Sequence, residues 1–146
     1  MTTIADKLQQ VQHRVAQACE RAGRDPASVL LLAVSKTFGP DAVLEAARAG
    51  QHAFGENYLQ EAVEKMAALR QMGAPTLQWH CIGPVQSNKT RLVAEHFDWM
   101  HTVDRLKVAQ RLEVNAKDLA DELGREVAIL ERLHHPTIVR MVDLFE

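Results

Sequence analysis

The chain has 146 residues, room for one ordinary domain and about half of the roughly 250 that a closed eight-stranded βα barrel occupies. Apolar residues make up 47% and charged residues 25%, the balance of a globular protein with a real core rather than a disordered or collagenous chain. Seventeen Lys and Arg against nineteen Asp and Glu leave a formal charge of -2, so no basic excess drives binding to nucleic acid, and none is expected as a partner.

In chain order, Ile4, Leu8, Val11, Val15 and Ala18 mark one apolar stripe of a helix over residues 4–22, stopped by Gly23. Asp25-Pro26 opens a turn. Residues 29–35 are a continuous apolar, β-favouring run of the kind buried on both faces of a parallel sheet, and Lys36 ends it. Gly39-Pro40-Asp41 starts a helix that Gly50 closes. The cycle repeats with a strand at 52–55, a helix at 58–72 ended by Gly73, and a strand at 76–82. It repeats again with a helix capped by Ser87 and running through His96, a strand at 99–103, and a helix beginning at Arg105 behind the cap Asp104. Strands alternating with helices predict right-handed βαβ units around a parallel sheet. Beyond Leu112 the texture changes: residues 113–133 are charged and helix-favouring apart from Gly124, and 137–145 alternate as a final strand.

The longest apolar run, residues 29–34, is far too short to span a bilayer, and the N-terminus has no apolar signal segment, so neither export nor membrane insertion is expected. Cys19 and Cys81 lie far apart without CxxC spacing, which predicts neither a disulfide framework nor a cysteine-built zinc site and fits a reducing, cytoplasmic setting. The seven histidines show no ligand spacing either, so no metal is expected.

Lys36 is the most informative position, because it terminates an apolar strand and shares a face with Leu30, Leu32 and Val34. Burial disfavours the ammonium form of a lysine, and the neutral amine is the form that attacks an aldehyde. Ligands of α/β folds gather at the carboxyl ends of the strands, where this residue falls. Pattern alone leaves two readings open, a nucleophilic amine or a lysine that snorkels into water. Asn57 follows the second strand, and Gln78, His80 and Ile82 share one face of the third. Asn57 could therefore offer an amide, and His80 a flat ring, to the same mouth. Each also has an ordinary explanation, a turn residue and a satisfied core histidine. Ser87, Asn88 and Lys89 open a helix and could hold an anion or simply cap it. No GxSxG, GxGxxG or Walker sequence occurs, so the familiar nucleophile-elbow and phosphate-loop enzymes are excluded.

The blocks LLAVSKT (31–37), FGENYLQE (54–61), WHCIG (79–83) and QSNK (86–89), continued by HTVD (101–104), closely resemble the pyridoxal phosphate homeostasis protein family in order and spacing over residues 1–112. The resemblance implies a barrel like the N-terminal domain of alanine racemase, binding pyridoxal 5'-phosphate as a Schiff base to Lys36, with Asn57 and His80 near the cofactor. It also implies a carrier that buffers the reactive aldehyde rather than an enzyme with robust turnover. Members are much longer, and their phosphate-binding residues come from late strands without a counterpart here. Residues 125–145 resemble instead the αC helix and following strand of a protein kinase, with Glu126 at the lysine-pairing position. The other kinase motifs are missing, so no kinase activity is implied.

The expected fold is therefore α/β: half of a TIM-type βα barrel, or an open parallel sheet of about four to five strands flanked by helices. Residues 1–112 would form the cofactor-binding part, and 113–146 a helix and strand of different origin packed on it as one compact unit. The alternative is a recombined or engineered chimera with no ligand function. Half a barrel leaves unpaired strand edges and a bare apolar face, so self-association into a homo-oligomer is expected.

Overall fold

The computed structural model describes residues 1–123 and the backbone of residues 138–141. Helix α1 (Ile4–Arg21) opens on a capping box in which Thr3 Oγ1 accepts from the Asp6 N–H and the Asp6 carboxylate accepts from the Thr3 N–H. Then follow β1 (Leu30–Val34), α2 (Pro40–Arg48), β2 (Ala53–Glu56), α3 (Leu59–Gln71), β3 (Gln78–Cys81), α4 (Thr90–His96), β4 (Trp99–Met100), α5 (Leu106–Leu123) and β5 (Ile138–Met141). The three glycines expected to stop helices do so by one device: Gly23, Gly50 and Gly73 all have positive φ. The next residue's N–H turns back on the helix in each case, as in the bond from Arg24 N to Cys19 O at 2.9 Å.

All five strands are parallel, in the order β4-β3-β2-β1-β5. Strands β1 to β4 step in sequence across the sheet, and right-handed crossovers in one direction put every connecting helix on the same face. There Ala33, Phe54 and Trp79 pack beneath Leu8 of α1, Val43, Leu44 and Ala47 of α2, and Ala62, Met66 and Leu69 of α3. Cys81 continues that core against Val93 of α4 and Leu112 of α5. This singly wound arrangement is that of a partial βα barrel, as the alternation predicts.

The other face carries rows of side chains set by the strand register. Val34, Gly55, His80 and Trp99 form one row through the pairs Val34↔Gly55, Gly55↔His80 and His80↔Trp99. Leu32, Val34, Ala53 and Ile82 cluster on this side and are at most 8% exposed in the single chain.

Strand boundaries shift by one or two residues at β2 and β3, and three further departures have a local cause. Strand β1 ends at Val34, and Lys36 lies beyond it in a turn, because the Ser35 carbonyl accepts from Phe38 N at 3.1 Å and the chain reverses. Ser87 caps no helix with its side chain. Buried Val85 anchors the preceding loop, residues 87–89 enter as a 3-10 turn, and the Ser87 carbonyl accepts from Thr90 Oγ1 at 3.1 Å. Strand β4 is only two residues long: His101 N still donates to Cys81 O at 2.9 Å, after which the chain leaves for α5. Of the expected final strand, residues 138–141 pair with β1. Residues 124–137 and 142–146, with Glu126 and most of the kinase-like stretch, lie outside the described residues. Among the described residues no helix is long and apolar enough to cross a membrane.

Candidate functional site

The carboxyl ends of β1, β2 and β3 bring two of the expected residues to one rim. Ser35 N donates to Gly55 O at 3.0 Å and Ile82 N to Glu56 O at 2.9 Å, so pairing continues one residue past each strand end. Lys36 and Asn57 follow directly. Lys36 is half-buried, and among the described residues its amine has neither hydrogen bond nor ion pair. Asn57 is also half-buried, and its Oδ1 is buried without a donor. A buried carbonyl oxygen that lacks a partner costs free energy, so this one stands as an acceptor awaiting a donor. Gly83 makes its position possible, since a Cβ there would come within 2.7 Å of Asn57 Cβ.

His80 sits one row deeper than this rim. Its ring is fully buried, offset-stacked on Trp99 with centroids 5.8 Å apart and planes 7° apart, and edge-on to His101. Both nitrogens are engaged: Nε2 lies 3.0 Å from Gln78 Oε1 and Nδ1 lies 2.8 Å from His101 Nε2. With Gln78 presenting its carbonyl oxygen, His80 Nε2 carries the proton and Nδ1 accepts from His101 Nε2–H. Exposed His101, not singled out by sequence reasoning, thus connects the deeper row to the rim. Cys81 is no nucleophile here, because burial pushes its thiol up to about 11.

Ser87, Asn88 and Lys89 do not form the expected helix terminus. Ser87 is half-buried and Asn88 and Lys89 are exposed on the 3-10 turn.

On the helix side of the rim lies a buried charge cluster that sequence reasoning missed. Lys65 of α3 pairs with Glu56 at the end of β2, reaches Glu61 Oε1 at 3.3 Å and donates to the Ser35 carbonyl at 2.8 Å. Ser35 Oγ donates to Glu56 Oε1 at 3.0 Å, and the Thr37 N–H donates to Glu61 Oε1 at 2.9 Å. Burial pushes the Glu56 carboxyl above its ordinary range, while Lys65 and Ser35 pull the other way. Thr37 has φ +68°, the only positive-φ residue other than glycine among the described residues. The available signal was Glu56 inside an otherwise buried strand end, a carboxylate that burial forces to find a cation.

The fold is thus a singly wound parallel sheet of partial βα-barrel type, with Lys36 and Asn57 just past the carboxyl ends of β1 and β2. The chain belongs to the alanine racemase N-terminal domain family, whose pattern it matches over residues 7–130. Among its relatives are proteins named pyridoxal phosphate homeostasis protein. That of Escherichia coli (strain K12) is 45% identical over 91% of this chain and 63% of its own length. That of Pseudomonas aeruginosa is 59% identical over 77% of this chain and 47% of its own. The solved structure of PipY from Synechococcus elongatus PCC7942, with pyridoxal phosphate bound, aligns with a TM-score of 0.62 at 44% identity, covering 84% of this chain and 50% of that one. A protein of unknown function from Bifidobacterium adolescentis aligns with a TM-score of 0.70 at 32% identity, covering 83% and 51%. The chain therefore spans about half to two thirds of the length of these relatives, and the family match continues past Leu112 to residue 130.

Proposed function

We propose that this chain binds pyridoxal 5'-phosphate and serves its homeostasis as a carrier without robust turnover. Lys36 is the attachment point, through a Schiff base, and Asn57 and His80 belong to the same site. A bound cofactor would supply an aldehyde, whose oxygen would leave as water with the two protons of the neutral Lys36 amine as the C=N bond forms. The residues present fit such a group. The Asn57 Oδ1 is a buried acceptor with no donor, and the Lys36 amine has no competing partner among the described residues. Asn57 offers its oxygen to a hydroxyl or N–H of the ligand. His80, one row down, holds His101 at the rim through the Nδ1 bond.

Two residues just past the ends of the paired strands β1 and β2 carry the reading: Lys36, whose amine has no hydrogen bond or ion pair among the described residues, and Asn57, whose Oδ1 is buried without a donor. The family membership and the cofactor-bound relative support it. The test is to mix purified protein with pyridoxal 5'-phosphate, reduce with borohydride and map the modified peptide by mass spectrometry. Label on residue 36, lost in Lys36→Ala, is the expected result. No label at residue 36 at saturating cofactor refutes the reading.

A further inference from the structure

We propose that Glu61, backed by Lys65 and Glu56, is a positioning residue for Lys36. This inference rests on the reading of Lys36 as the attachment point. Its physical basis is the turn itself. Phe38 N donates to Ser35 O at 3.1 Å, which makes Lys36 and Thr37 the two central residues of a four-residue turn. With φ +68° at Thr37 the turn has the sign of type II, a place that favours glycine and penalises a β-branched residue. Such strain persists only where the surroundings over-determine it.

Here the surroundings grip the turn on both sides of the lysine. On one side the Ser35 carbonyl accepts from Lys65 Nζ at 2.8 Å and Ser35 Oγ donates to Glu56 at 3.0 Å. On the other the Thr37 N–H donates to Glu61 Oε1 at 2.9 Å. The residues immediately before and after position 36 are thus fixed by side chains of β2 and α3, while Lys36 is left out of the cluster. Electrostatics explains why it stays out. Glu56 and Glu61 are two carboxylates close to the turn that would attract any neighbouring ammonium, and Lys65 already engages both. Lys65 occupies the cluster, and Lys36 keeps its amine outside it. Glu61 lies in the first turn of α3, where the helix dipole favours a carboxylate.

The test uses Glu61, because its side chain is 41% exposed and its truncation leaves the buried Lys65–Glu56 pair in place. In Glu61→Ala, the yield of borohydride-fixed pyridoxal at Lys36 under subsaturating cofactor falls about five- to thirty-fold, the factor that a lost hydrogen bond of about 1–2 kcal/mol at this partly exposed acceptor represents. Glu61→Gln, which keeps an oxygen for the Thr37 N–H, restores most of it. Both variants keep the wild-type circular dichroism, and hydrogen exchange of the Thr37 amide accelerates in Glu61→Ala alone. Equal labelling of wild type and Glu61→Ala overturns the inference. So does a loss that Glu61→Gln fails to restore, since that marks general loosening of the fold. If wild-type protein takes no label, the cofactor reading falls, and Thr37 exchange measured without cofactor still decides the positioning: a wild-type rate in Glu61→Ala refutes it.

Discussion

The buried pair at the foot of the turn yields the sharpest test of these energetics. Lys65→Met keeps most of the volume of the side chain and removes its charge. The Lys65 side chain is 3% exposed and that of Glu56 is 0% exposed, so the variant leaves a carboxylate in the interior with the Ser35 hydroxyl as its remaining partner among the described residues. Removing one partner of a buried pair costs about 3–5 kcal/mol. For a domain of this size that lowers the melting temperature by about 10–20 °C.

The pH dependence has a definite sign. Burial already pushes the Glu56 carboxyl above its reference value of 4.5, and loss of the opposing Lys65 pushes it further. A carboxyl whose folded-state value is raised binds its proton more tightly in the native state. The stability it supports is complete below the unfolded value and is lost as pH rises through the folded one. Lys65→Met therefore comes closest to wild type in mild acid and falls furthest behind at neutral pH. Adding Glu56→Gln removes the charge that needs compensation and recovers most of the loss. Thermal and urea denaturation between roughly pH 4 and 8 measure this directly. A single variant within about 1 kcal/mol of wild type at every pH would refute the reasoning. Should Lys65→Met fail to fold at neutral pH, folding of the double variant there reports the same coupling.

Gly83→Ala forces a Cβ to within 2.7 Å of Asn57 Cβ and 3.5 Å of its Cα, where contact needs nearer 3.5–4.0 Å, so Asn57 must shift. Overpacking of this kind costs about 1–3 kcal/mol and is read as a lower melting temperature with weaker labelling of Lys36; an unchanged melting temperature contradicts it. Asn57→Ala removes an acceptor that is buried and unpartnered, so it lowers cofactor labelling without destabilising the protein, and a large fall in melting temperature would show the amide to be structural. Lys36→Ala abolishes labelling at its own position with a stability change of no more than about 0.5 kcal/mol, since the amine has no partner to lose among the described residues.

Much of the architecture is legible because the signals are local. The apolar run before Lys36, the Pro40-Asp41 start and the glycines at 23, 50 and 73 depend only on neighbouring residues, and the elements lie where those cues put them to within a residue or so. The rim positions of Lys36 and Asn57 follow from the same alternation of strand and turn. What escapes is long-range. The pairing of Glu56 with Lys65 needs the strand end and a helix two turns away to be folded together, and residue type gives no hint that a lysine in α3 is 4% exposed. His80 is a further long-range case: its contacts to Gln78, Trp99 and His101, which engage both nitrogens and one ring face, depend on strand pairing that the local pattern does not announce. The turn at Thr37 escapes for another reason, since a β-branched residue gives no sequence cue for the left-handed region.

These particulars divide the strand ends by face. Residues on the helix side, Ser35 and Glu56, are tied into charge and hydrogen bonding supplied by α3, whereas Lys36 and Asn57 are one step further along and retain unused polar atoms. Every group that fixes the turn around Lys36 comes from residues 35–65, within the first two strand-helix units after α1. Among the described residues, the hydrogen bonds that fix the backbone on either side of that lysine thus come from β1, β2 and α3, and the ion pairs behind them require the helix to be docked. A change that undocks α3 releases Lys65 and Glu61 together, and frees the two carboxylates to compete for the amine they otherwise leave alone.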